Sequence, residues 1–161
     1  MNTHHRVDIL VPLLLSAIIF VCTTVIHALP LRATVNFIRR ERSRGRFGAS
    51  FWIDIGIVVR TIFYATIAHL AEVALWAVLF VFCGEFQEFG NAYYHSAVNY
   101  TTLGYGDIIM SPRWALLGPL EAANGMLLFG VTAAMVLAII QKLIEARVTN
   151  LKDWGEKSPF Q

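Results

Sequence analysis

Residues Thr101 to Asp107 read Thr-Thr-Leu-Gly-Tyr-Gly-Asp, directly after Ala-Tyr-Tyr-His-Ser-Ala-Val-Asn-Tyr-Thr over 92–101. The earlier stretch is mostly apolar and predicts a short helix, with Asn91 in the N-cap position. A helix of that length rises only about 15 Å, half of a bilayer core about 30 Å thick. Gly104 and Gly106 then alternate with Leu103 and Tyr105, which puts backbone freedom at every second residue. Irregular backbone of this kind is tolerated at membrane depth only where it is buried in protein or lines a water-filled path.

The flanking sequence makes the membrane the correct frame. The chain has 161 residues, 57% of them hydrophobic and 15% charged, a balance that excludes an ordinary soluble domain. Segments of about Ile9 to Leu29, Ile55 to Cys83 and Trp114 to Ile140 are each long and apolar enough to span. The second and third exceed the minimum and predict tilt or extension past the lipid core. The first follows a polar start carrying Arg6, as a signal peptide would. It is long, however, Asp8 abuts it, and no small-x-small site follows His27-Ala28-Leu29-Pro30, so it is read as a retained span. Cys22 and Cys83 lie within and at the end of apolar segments, with no spacing that suggests a disulfide framework or zinc.

The expected fold is therefore an all-α membrane protein. It has three transmembrane helices and a re-entrant helix and loop between the second and third. The expected organisation is an N-terminal span over 1–30, an Arg-rich loop over 31–50, a two-helix unit with its loop over 51–141, and a tail over 142–161. Within the loop, Leu31, Val35 and Ile38 predict a short helix lying on the membrane surface. Arg32, Arg39, Arg40, Arg42, Arg44 and Arg46 face Glu41 as the one acid among them, which keeps this loop cytoplasmic and the N-terminus outside. Glu85, Glu88 and Asp107 then fall on the outer face, and Lys142, Arg147, Lys152 and Lys157 inside. Beside a span, the arginines point to orientation and anionic lipid rather than to nucleic acid. His4 and His5 read as a terminal pair without a catalytic setting, and no nucleophile triad, phosphate loop or metal motif suggests an enzyme.

The run Thr101 to Asp107 resembles the signature of tetrameric potassium channels, where the filter reads Thr-Val-Gly-Tyr-Gly, usually preceded by Thr and followed by Asp; Leu103 stands where Val is commonest. The resemblance covers roughly Ile55 to Ile140 and leaves the first span as an addition to the two-helix pore unit. It implies a homotetramer in the lipid bilayer, in a setting of prokaryotic inner-membrane type, with potassium as permeant ligand and no cofactor. In such a filter, rings of carbonyl oxygens replace the hydration shell of the ion. By resemblance Thr102, Leu103, Gly104 and Tyr105 contribute those oxygens, Gly106 completes the strand, and Asp107 sits at the outer mouth. The family's best-known bacterial form has a glutamate four residues before the filter threonine; here Val98 occupies that place, so Tyr94 or His95 is expected to brace Asp107 instead.

In the third span, Gly125 and Gly130 are candidate hinges, Gly125 first, although small residues equally permit close helix packing. Periodicity from Gly125 points Met126, Ala133 and Leu137 along a cavity wall, and Pro119 falls near the outer start of that span. His69, Glu72, Glu121 and Asn124 form an expected intramembrane polar cluster, because ionisable groups at depth need partners. It could be a hydrogen-bond network, a proton sensor, or a metal site of His69, Glu72 and Glu121. The expected function is a potassium-selective channel subunit; a weakly selective cation channel and a non-conducting accessory subunit are the alternatives.

Overall fold

A computed structural model of the protein describes residues 9–156, with side chains described through 149. His4, His5, Arg6, Asp8 and Lys157 lie outside the described residues, as does the side chain of Lys152. The order is α1 (Leu10–Ser43), α2 (Phe51–Phe82), α3 (Phe89–Tyr100) and α4 (Leu117–Glu156). Among the described residues, three helices are long and apolar enough to cross a membrane: Leu10–Ser43, Phe51–Phe82 and Leu117–Thr149. The spans expected from sequence are all present, and each is longer than its apolar stretch.

The largest difference lies in α1. It runs unbroken through Pro30 to Ser43, where the sequence predicted a stop near Leu29 and a separate helix after it. An interior proline costs about 3 kcal/mol in an isolated helix, but within membrane helices neighbouring groups re-satisfy the freed carbonyl. Arg40 and Arg42 occupy the last turn, where cations complement the helix dipole. The shorter helix α3 also starts earlier than expected. Glu88, not Asn91, holds the N-cap position, without a side-chain cap bond; Asn91 instead reaches back to Glu88 Oε2 at 3.5 Å.

α1, α2 and α3 end in the same way. Each closes with paired bonds back to its last turn and a left-handed residue just beyond, the Schellman arrangement. In α1 Gly45 (φ 66°) is that residue, with Arg46 N–H on the Glu41 carbonyl at 3.1 Å; in α2 it is Gly84 (φ 78°), with Glu85 N–H on the Phe80 carbonyl at 3.1 Å. In α3 it is Thr102 (φ 61°), with Leu103 N–H on the Val98 carbonyl at 2.9 Å and Thr102 N–H on the Asn99 carbonyl at 2.8 Å.

The described chain divides into two compact units. The first comprises residues 9–27 and Ala68–Gly130. Its core is Trp76, Phe80, Ala92, Tyr100, Met110, Trp114 and Leu117, with Leu15 and Ile19 of α1 packed against it. Here α4 comes so close to the end of α3 that a Cβ on Gly125 would collide with the backbone carbonyl oxygen of Tyr100.

The second unit comprises residues 28–67 and those from Val131 onward. Ile57, Ile139 and Leu143 are its buried core, flanked by Phe37, Ile38 and Phe47. Asp54 accepts Gly48 N–H at 3.1 Å and Arg147 Nη2 at 2.8 Å. Arg60 lies 4.4 Å over the Phe37 ring and donates to Tyr64 Oη at 2.8 Å.

Gly125→Ala tests the close approach in the first unit. The obstacle is backbone, which cannot swing aside, so the substitution should cost at least the about 1–3 kcal/mol typical of overpacking. The expected outcome is a clearly lowered thermal midpoint of the detergent-purified protein, whereas Gly130→Ala, with no atom within 4 Å of the added carbon, should leave it nearly unchanged.

Candidate functional site

The segment after α3 has a regular alternation. Thr102, Gly104 and Gly106 have φ of 61°, 59° and 72°, while Leu103 and Tyr105 do not share that region. Gly104 and Gly106 have no atom within 4 Å of a would-be Cβ, so it is the backbone angle and not space that calls for glycine. Thr102 adopts the same region without that freedom, at a cost of about 1–2 kcal/mol, and the helix-end bonds hold it there. All residues from Thr101 to Asp107 are exposed, Leu103 at 54% and Tyr105 at 67%.

Two carboxylates fasten the loops around this segment. Tyr94 Oη donates to Asp107 Oδ2 at 2.8 Å, and this bond to an anion raises the phenol above its ordinary value. Glu85 accepts Ser111 N–H at 2.7 Å and Ser111 Oγ–H at 2.5 Å, so it anchors the return loop rather than standing as a solvated acid. Glu88 is exposed.

Behind this segment, the expected polar residues separate into distinct sets. His69 and Glu72 do meet, with Nδ1 at 3.1 Å from Oε2. Their other partners are His27 of α1, whose Nδ1 is 2.9 Å from Glu72 Oε1, and Tyr100 at the end of α3, which donates to Glu72 Oε2 and lies 2.9 Å from His69 Nδ1. Glu72 is fully buried and His27 is 4% exposed. Glu121 is elsewhere: its Oε1 is 2.5 Å from Ser96 Oγ, which also lies 2.8 Å from the Val73 carbonyl. Asn124 pairs with Thr23 of α1, its Nδ2 donating at 2.9 Å. The four-residue cluster expected from the spans is thus replaced by a His27–His69–Glu72–Tyr100 group and two separate pairs.

His27 and Tyr100 were not singled out by sequence reasoning. His27 carried a usable signal, a titratable residue in an apolar span; its partner lies 45 residues away, and no local pattern links the two. Tyr100 looked like one more aromatic on a short helix. Gly125 is explained by its contact with Tyr100, while Met126, Ala133 and Leu137 are exposed in the single chain.

Residues 68–142 match the family model described as an ion channel. Over 78 residues, 48% of its length, the chain is 35% identical to the TWiK family of potassium channels protein 18 of Caenorhabditis elegans, of which it covers 16%. That relative is eukaryotic, which lends no support to the expected prokaryotic setting. No solved structure gives a significant match.

Tyr100→Phe probes the buried carboxylate. It deletes one donor to Glu72 at nearly constant volume, and a hydrogen bond to a charged group contributes about 1.5–3 kcal/mol. A lower thermal midpoint of that order is expected, together with unchanged helix content by circular dichroism.

Proposed function

We propose that this chain, which matches the ion-channel family model through residues 68–142, is one of four identical subunits around a potassium-selective pore. The observation that carries the reading is the segment 102–106. It follows a helix of 12 residues, lies between two spans, is exposed along its whole length, and takes left-handed angles at every second residue. Such alternation turns successive carbonyls to a common side. Exposed non-helical backbone at membrane depth needs protein or a water path around it, and copies of the same segment about an axis supply both.

In this reading α3 is the pore helix and α2 and α4 are the outer and inner helices. A potassium ion sheds water as carbonyl oxygens of Thr102, Leu103, Gly104 and Tyr105 take its place, with the Thr102 hydroxyl at the inner end. The Tyr94–Asp107 bond braces the outer end of the strand, in the role given to a pore-helix glutamate in the form mentioned above. The Arg-rich stretch 39–46 sets the cytoplasmic side, with the N-terminus outside. Of the two hinge candidates, Gly130 has open space around it and Gly125 is packed on Tyr100, so bending is assigned to Gly130.

Reconstitution in liposomes is the test. Potassium flux far above sodium flux is expected. Equal fluxes would support a weakly selective cation channel, and no flux an accessory subunit. Gly104→Ala, which forces a side chain onto a residue at φ 59°, should abolish the preference for potassium. Glu121→Gln keeps an acceptor for Ser96 and should assemble with an unchanged pH response, as a structural pairing requires.

A further inference from the structure

His27, His69 and Glu72 present ligand atoms that all lie within 4.8 Å of one another. They come from two helices, His27 from α1 and His69 and Glu72 from α2, and they converge inside one compact unit. Each oxygen of the Glu72 carboxylate faces a different imidazole: Oε1 faces His27 Nδ1 at 2.9 Å and Oε2 faces His69 Nδ1 at 3.1 Å. The Tyr100 hydroxyl stands on the same spot, 2.9 Å from His69 Nδ1. The two imidazole rings are tilted, with centroids 5.1 Å apart, so that both nitrogens approach the carboxylate without stacking.

We infer that this group is a binding site for a divalent transition ion of zinc type, with His27, His69 and Glu72 as ligands and the Tyr100 hydroxyl beside the fourth position. The spacing carries the inference. Zinc bonds to imidazole and carboxylate are about 2.0–2.2 Å, so the edge of a tetrahedral shell is about 3.3 Å. Each imidazole nitrogen already stands near that spacing from a carboxylate oxygen, at 2.9 and 3.1 Å. With all three ligand atoms within 4.8 Å of one another, a small closing movement completes the shell; the ion takes the place of the protons in these contacts. The ligand types select for it: imidazole with carboxylate suits zinc and its neighbours, whereas calcium and magnesium want oxygen alone. One carboxylate and two neutral imidazoles leave the bound ion partly uncompensated, and the phenol oxygen is the group placed to offset this. Of the three ligands, His69 has the most exposed side chain, at 12%.

The sequence pattern had raised a metal set of His69, Glu72 and Glu121; the geometry withdraws Glu121 and supplies His27. An ion here would clamp α1 to α2 and to Tyr100, two residues before Thr102. In the channel reading, that clamp sits directly behind the filter.

The experiment reads metal binding and not current, so its outcome is independent of whether the chain conducts. The full chain, stripped of metal in detergent micelles, is titrated with zinc chloride by calorimetry and with cobalt(II) by visible absorption. One zinc per chain at micromolar affinity or tighter is expected, with intense tetrahedral cobalt bands. His27→Gln and His69→Gln should each weaken binding by about 10–100-fold or more, the range seen even for groups that only orient a ligand. His4→Ala/His5→Ala should change neither readout. His27→Cys guards against a fold defect in the glutamine variants: it should keep zinc and add a thiolate-to-cobalt band in the near ultraviolet. No saturable binding by the unmodified chain overturns the site. So does binding that survives at His27 and His69 but disappears with His4 and His5, or a His27→Cys protein without the new band.

Discussion

A carboxylate without water must find donors, and Glu72 has none of its surface exposed. The desolvation of such a group costs several kcal/mol unless close, well-directed partners replace the lost water. Its partners here are His27 from α1, His69 from α2 and Tyr100 from α3. One side chain thereby sets the mutual placement of three elements in the first unit. It also gives the first span a structural place, since Thr23 and His27 both join polar groups of the helices that follow it in the sequence.

The influence passes on through Tyr100. This residue ends α3 and is buried, its hydroxyl on Glu72 and its backbone carbonyl under Gly125. The next turn is the helix end that holds Thr102 in the left-handed region. Glycine fills the equivalent position after α1 and α2, where it is the residue of least strain. A glycine at 102 would relieve the backbone and remove the hydroxyl together. Threonine stands here against its own backbone preference, and local strain of this kind clusters at functional sites.

The second unit is built on different forces. Its apolar core is small, and charged groups complete it: Asp54 between Gly48 and Arg147, Glu41 between Arg44 and Arg46, Arg60 over Phe37. Long basic side chains that cover apolar surface and keep their heads in polar surroundings suit the boundary between lipid and water. Arg60 illustrates the limit of counting charges along a span. It falls in the apolar stretch of α2, and only its position over Phe37 and beside Tyr64 shows how the charge is accommodated.

The number of spans, the half-length helix between the second and third, and the glycine alternation after it were all legible along the chain. Each depends on a local property: apolar length against bilayer thickness, or a residue's own backbone freedom. The boundaries were less so. A proline and a run of arginines read as an end to α1, yet the helix continues to Ser43, because packing around a proline lies outside its own sequence window. Ionisable residues in the spans announced that they needed partners, but the partners themselves were a matter of tertiary structure. Glu72 met His27, Glu121 met Ser96 and Asn124 met Thr23, across separations of 45, 25 and 101 residues. A burial requirement belongs to one residue and can be read from it; the group that meets the requirement depends on which helix faces come together, and that only the folded chain decides.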